Sequence, residues 1–143
     1  MSKYAPITTT LVCALVFGCN RTEQKTNDYI RQSEALQERY CGTNISDAEA
    51  ALKELETLTE MQRRSGNASL RYAWIYGQIH GRLFLIYRHM GETNLAQKAF
   101  ETSTQYFRSA GTGTSSPTSE QWTQSLEKLD FQLDVKWKRY KQP

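Results

Sequence analysis

The chain of 143 residues lacks most of the features that would announce an activity. It has no glycine-rich phosphate loop, no Cys-x-x-Cys pair and no His-Glu-x-x-His helix. Its two histidines, His80 and His89, are nine residues apart and cannot share the i,i+4 face on which a helix holds a metal. Acidic residues interleave with basic ones, and no pair of carboxylates stands in an apolar setting of the kind general acid and base work needs. A protein without enzymatic activity, cofactor or metal is the expectation. Charge of one sign is also missing: 18 Lys and Arg against 15 Asp and Glu leave a formal +3, too mild to demand nucleic acid as a partner. No segment keeps up the apolar/polar alternation of a strand, so the expected fold class is all-α.

What is present begins at the N-terminus. Residues 1–18 carry Lys3, then an apolar segment from Ile7 to Phe17, then Gly18, the order of a secretory signal. The segment falls short of the ~20 residues that span a bilayer. Its end, Val16-Phe17-Gly18-Cys19, resembles the lipobox of bacterial lipoproteins, in which a branched aliphatic residue and a small residue precede the cysteine that receives diacylglycerol. The resemblance implies cleavage before Cys19, lipidation (palmitate and diacylglycerol) at that residue, and membrane attachment without a span. Asn20, where an Asp would favour inner-membrane retention, implies delivery to the cell outer membrane, facing the periplasm. An ordinary secretory signal is the alternative. Removing residues 1–18 would take one basic residue, Lys3, and no acidic one, so the surplus falls from three to two.

Residues 20–26, "NRTEQKT", hold no apolar side chain and read as a solvated tether reaching up to about 25 Å. The expected organisation is residues 1–18 signal peptide, 19–26 lipidated Cys and tether, and 27–143 one helical domain. With Cys13 in the signal and Cys19 lipidated, Cys41 is left as a single thiol; in the secreted alternative Cys19 and Cys41 could pair.

Five helices are expected in the rest. The first covers about 27–41, with Tyr29, Ser33, Leu36 and Tyr40 on one face and Gly42 as its stop. The second opens at Ser46, whose spacing to Glu49 suits a capping box, and buries Ala48, Ala51, Leu52, Leu55 and Leu58. The third, about 69–89, is the most apolar and should be central, with Tyr72, Ile75, Ile79, Leu83, Ile86 and Met90 along its stripe. A fourth covers about 94–109, turning inward Ala96, Ala99, Phe100, Ser103 and Phe107. After "GTGTSSP", a last helix over about 118–139 lines up Trp122, Leu126, Leu129, Leu133, Trp137 and Tyr140.

The hairpin 77–110 resembles a tetratricopeptide (TPR) unit through Leu83, Tyr87, Gly91, Ala96, Phe100 and Ser103. His80, Phe84 and Arg108 stand where that motif has an aromatic, a small residue and a proline. A short TPR-like stack is implied, with an irregular five-helix bundle as the alternative. On the third helix Arg71, Trp74, Gln78, Arg82, Leu85 and His89 lie opposite the apolar stripe. The resemblance adds Arg88 and places this face in a groove suited to an extended peptide or an anionic group. The other outcome is that the last helix covers it. The tail residues Lys136, Lys138, Arg139 and Lys141 suit either a membrane surface or a helix C-terminus. A protein-protein interaction adaptor or assembly factor is the leading expectation. A steric immunity or exclusion lipoprotein and an envelope ligand-binding or hydrolytic factor are the alternatives.

Overall fold

A computed structural model describes residues 20–111 and 118–140, with side chains from residue 23 onward. Among them five α-helices follow one another: α1 (Asn20–Tyr40), α2 (Ile45–Arg64), α3 (Tyr72–His89), α4 (Thr93–Ser109) and α5 (Ser119–Gln132). A single 3-10 turn (Trp137–Arg139) completes the order. The fold is all-α, and none of these helices is long and apolar enough to cross a membrane. Cys13, Cys19 and the expected signal segment lie outside the described residues.

The loops explain the antiparallel order. α3 stops at Gly91, which adopts φ 77°. There the Gly91 N–H donates to the Arg88 carbonyl and the Glu92 N–H to the Tyr87 carbonyl at 2.8 Å. That pair of bonds is a left-handed C-terminal stop that favours glycine. α2 stops the same way at Gly66, φ 75°. At the start of α2 the cap is Asn44, whose Oδ1 accepts from the Ser46 and Asp47 amides at 2.9 and 3.2 Å. The capping box expected from Ser46 and Glu49 is not formed. Glu49 instead accepts from Lys53 Nζ at 2.6 Å and from the Tyr87 hydroxyl at 3.0 Å. A capping box does form at α5, between Thr118 and Gln121.

α3 is the central element. It packs most extensively on α4 and also meets α2 and α5, while α1 lies on α2. From Tyr76 to Tyr87 it is buried on all sides except at Gln78, His80 and Arg82, the pattern of a helix enclosed by neighbours rather than of one with a free face. Its glycines set the approach of those neighbours. A Cβ on Gly77 would lie 2.8 Å from the Phe107 ring of α4, and one on Gly81 would lie 3.2 Å from Leu126 of α5. Ser103 of α4 donates from its hydroxyl to the Gly77 carbonyl at 2.7 Å.

Two expectations are corrected at the ends. The segment 20–26 is helical from Asn20 rather than an extended tether. At 1.5 Å rise per residue it covers about 9 Å up to Thr26 instead of about 25 Å. Thr26 is already tied to the bundle, because the Asn67 amide donates to its hydroxyl at 3.1 Å and Ser69 lies at 3.1 Å. The last helix does not reach residue 139. It ends at Gln132 because Asp134 takes a left-handed conformation, φ 53°, with the Asp134 and Val135 amides donating back to Phe131 and Asp130. The chain then folds inward, burying Val135 and Trp137, the latter completely. The continuous stripe is broken: Leu129 is 39% exposed and Tyr140 54%.

Candidate functional site

The face expected on α3 divides in two. Its lower half, from Arg82 to His89, is met by α5 and the C-terminal segment, which leave Arg88 and His89 with exposed surface. Leu85 is buried in the core. Arg82 sets its guanidinium 5.5 Å from the Tyr40 ring centroid, donates to Gln78 Oε1 at 3.2 Å, and brings Nε to 3.7 Å from Asp130 Oδ1. Arg88 donates to the Thr123 hydroxyl of α5 at 2.7 Å. His89 meets the Trp137 ring edge-on at 5.3 Å, and its Nε2 lies 3.1 Å from the Tyr140 carbonyl. The upper half, Arg71 and Trp74, keeps exposed surface.

Asp130 holds this covering in place. It is 2% exposed, and its Oδ2 accepts from the Tyr40 hydroxyl at 2.7 Å and pairs with Lys138 Nζ at 2.8 Å. Oδ1 makes no hydrogen bond among the described residues. Lys138 lies over the Trp137 ring, and Trp137 meets Tyr40 edge-on at 6.0 Å. The Lys136 amide donates to the Cys41 carbonyl at 3.0 Å, so α1, α3 and the C-terminal segment close around one buried carboxylate. Burial, reinforced by the Asp130 charge, holds the Tyr40 hydroxyl protonated well above its usual range. Burial also raises the free Cys41 thiol, which disfavours the reactive thiolate. This is the chemistry of a clamp.

A second locus lies where α2, α3 and α4 meet, at a cleft of about 520 Å³ lined by Glu56, Glu60, Arg63, Tyr72, Tyr76 and Tyr106 among others. Tyr76 and Tyr106 stack at 5.1 Å, and His80 stacks on the same Tyr106 ring at 5.8 Å. His80 Nε2 is 3.0 Å from Glu56 Oε1, an interaction that lowers the Glu56 carboxyl. Glu60 accepts from Arg63, Arg64 and the Tyr76 hydroxyl, and those bonds hold it far below the usual carboxylate range. The Tyr76 hydroxyl is raised, first by burial and then by Glu60. The sequence analysis did not anticipate this cleft. The spacing Tyr72, Tyr76, His80 on one helix and Glu56, Glu60 on another was the signal available.

Among the described residues no three His, Cys, Asp or Glu side chains gather as a metal site. Among the described residues the arrangement is all-helical and combines an ion-clamped core with an open aromatic cleft. No family model, no curated protein and no solved structure matches the chain.

Proposed function

We propose that the protein is a non-enzymatic lipoprotein of the bacterial cell envelope, a short TPR-like helical adaptor held at the membrane through Cys19. One observation carries this reading: the chain is already helical at Asn20, the first described residue and the one after the lipobox-like Val16-Phe17-Gly18-Cys19, so a lipid at Cys19 would be joined to the bundle by helix. Two or more acyl chains give lasting attachment without a span. Partner contact is assigned to the surfaces the C-terminal segment leaves open, the cleft around Glu56, Tyr76 and Tyr106 together with Arg71 and Trp74. Stacked phenols beside ionised carboxylates suit a protein or peptide partner, because aromatic anchors dominate such contacts.

The test is the intact mass of the protein from the membrane fraction, with Cys19→Ala beside it. Absence of a diacylglyceryl group, or unchanged fractionation of the variant, removes the anchor. Trp74→Ala and Glu56→Lys should each lose a co-purifying envelope partner while the fold is kept.

The covering of Arg82 and Leu85 favours a second reading, a lipoprotein that blocks by its presence at the envelope. In that case Cys19→Ala abolishes activity and both surface substitutions leave it intact.

A further inference from the structure

The antiparallel order sorts the basic residues between the two ends of the bundle. At the end where α1 begins, α2 finishes with Arg63 and Arg64, the chain enters α3 through Arg71, and α4 finishes with Arg108. Arg63, Tyr72, Ala73 and Ser109 line the same cleft, so Arg63 and the chain neighbours of Arg71 and Arg108 meet at this end of the bundle. All four are exposed, and Met61, 62% exposed, stands one turn before Arg64 on the same helix face. Of the acidic groups at this end, Glu60 already accepts from Arg63 and Arg64. Arg71 and Arg108 make no ion pair among the described residues, so their charge faces outward without a counter-ion from the bundle.

At the opposite end, the basic residues of the 3-10 turn are matched by acids of α5 and of the turn that follows it. Lys138 pairs with Asp130, and Arg139 pairs with Asp134.

We infer that the arginine end docks on an anionic lipid surface, which orients the bundle upright on its anchor. The inference rests on the anchor at Cys19 proposed above. Distance decides which basic cluster feels the membrane. The first turns of α1 separate residue 20 from the bundle end by about 9 Å, close to the ~8 Å over which physiological salt screens a charge. Long arginine side chains shorten that gap further. The 3-10 turn lies at the far end of α1, about 30 Å away, where screening is nearly complete. An extended tether would have removed this difference; the helix creates it.

The experiment uses the lipidated protein, its Cys19 modification verified by mass, in vesicles of phosphatidylcholine alone or mixed with phosphatidylglycerol. Amide exchange is followed over residues 63–73 and 106–111. Exchange there should be about thirtyfold slower on the anionic vesicles, as two unpaired arginines near such a surface would give. It should return to the phosphatidylcholine rate in high salt and in the Arg71→Glu/Arg108→Glu variant, whose melting temperature confirms its fold. Equal exchange on both vesicles, or protection that survives in the variant, overturns the docking while leaving the anchor. A mass without diacylglycerol overturns the anchor and the docking with it.

Discussion

The Tyr40 hydroxyl donates to Asp130 Oδ2 at 2.7 Å, joining the end of α1 to the end of α5 across ninety residues of sequence. Lys138 reaches the same oxygen at 2.8 Å, and Arg82 faces the other oxygen at 3.7 Å. Removing the carboxylate leaves two partly buried cations facing each other. Asp130→Ala should cost about 3 kcal/mol, and Tyr40→Phe, which keeps the charges paired, about 1.5 kcal/mol. Urea unfolding followed by far-ultraviolet circular dichroism should give that order; equal losses would show that Asp130 serves only as a hydrogen-bond acceptor for Tyr40.

Asp134 stands where the stop of α5 requires φ 53°. Its pair with Arg139 is exposed on both sides and contributes little. Asp134→Gly should therefore stabilise the protein, by roughly 0.5 kcal/mol, by relieving the left-handed strain. A lower melting temperature for the variant would show that the Arg139 pair outweighs the strain.

Gly77 and Gly81 are both helical, so alanine gains about 1 kcal/mol in propensity at either position. The added Cβ meets different obstacles. At Gly77 three atoms of the Phe107 ring lie within 2.9 Å, whereas at Gly81 the nearest neighbour is a Leu126 methyl at 3.2 Å. Gly77→Ala should be net destabilising by about 1 kcal/mol through overpacking, with Gly81→Ala near neutral. Thermal melts of the two variants separate these outcomes, and a Gly77→Ala protein as stable as the parent would mean the ring moves freely.

Stability should fall at both ends of the pH range for opposite reasons. Glu49, lowered chiefly by its bond from Lys53, and Glu56, lowered chiefly by His80, contribute stability above their unfolded value of 4.5 that is lost as pH falls through the folded values. Tyr40 and Tyr29 are raised by burial, so stability is full below 10.0 and declines as the unfolded tyrosines ionise above it. Denaturant midpoints measured across pH should form a plateau between those limits. In Tyr40→Phe the alkaline decline should be shallower.

Much of this was legible in spacing. Tyr29 and Tyr40, Ala48 and Leu52, Ile79 and Ile86, and Ala96 and Ala99 repeat at helical intervals, and all are buried. Gly91 marked its turn. The end of α5 was hidden because Leu126, Leu129, Leu133 and Trp137 keep an unbroken periodicity through a stop imposed by one left-handed aspartate, a residue that carries no glycine-like signal. Asp130 was hidden for a related reason. It shares the inward face with Leu126, but a lone carboxylate reads as solvent-facing until Tyr40 and Lys138 are brought to it. The covering of Arg82 and Leu85 depends on Gly77 and Gly81 admitting neighbours on two sides, a property of packing that one helix's stripe does not encode.

Trp137, wholly enclosed between Tyr40 and His89, has a consequence for the order in which the chain is made. A growing chain emerges from its N-terminus, and all five helices will have appeared before the residue that completes their centre. Until then the Tyr40 ring lacks its edge-on partner and the His89 ring has no indole against it. Nascent chains stalled just short of residue 137 should therefore be cut by protease at sites that the finished protein shields.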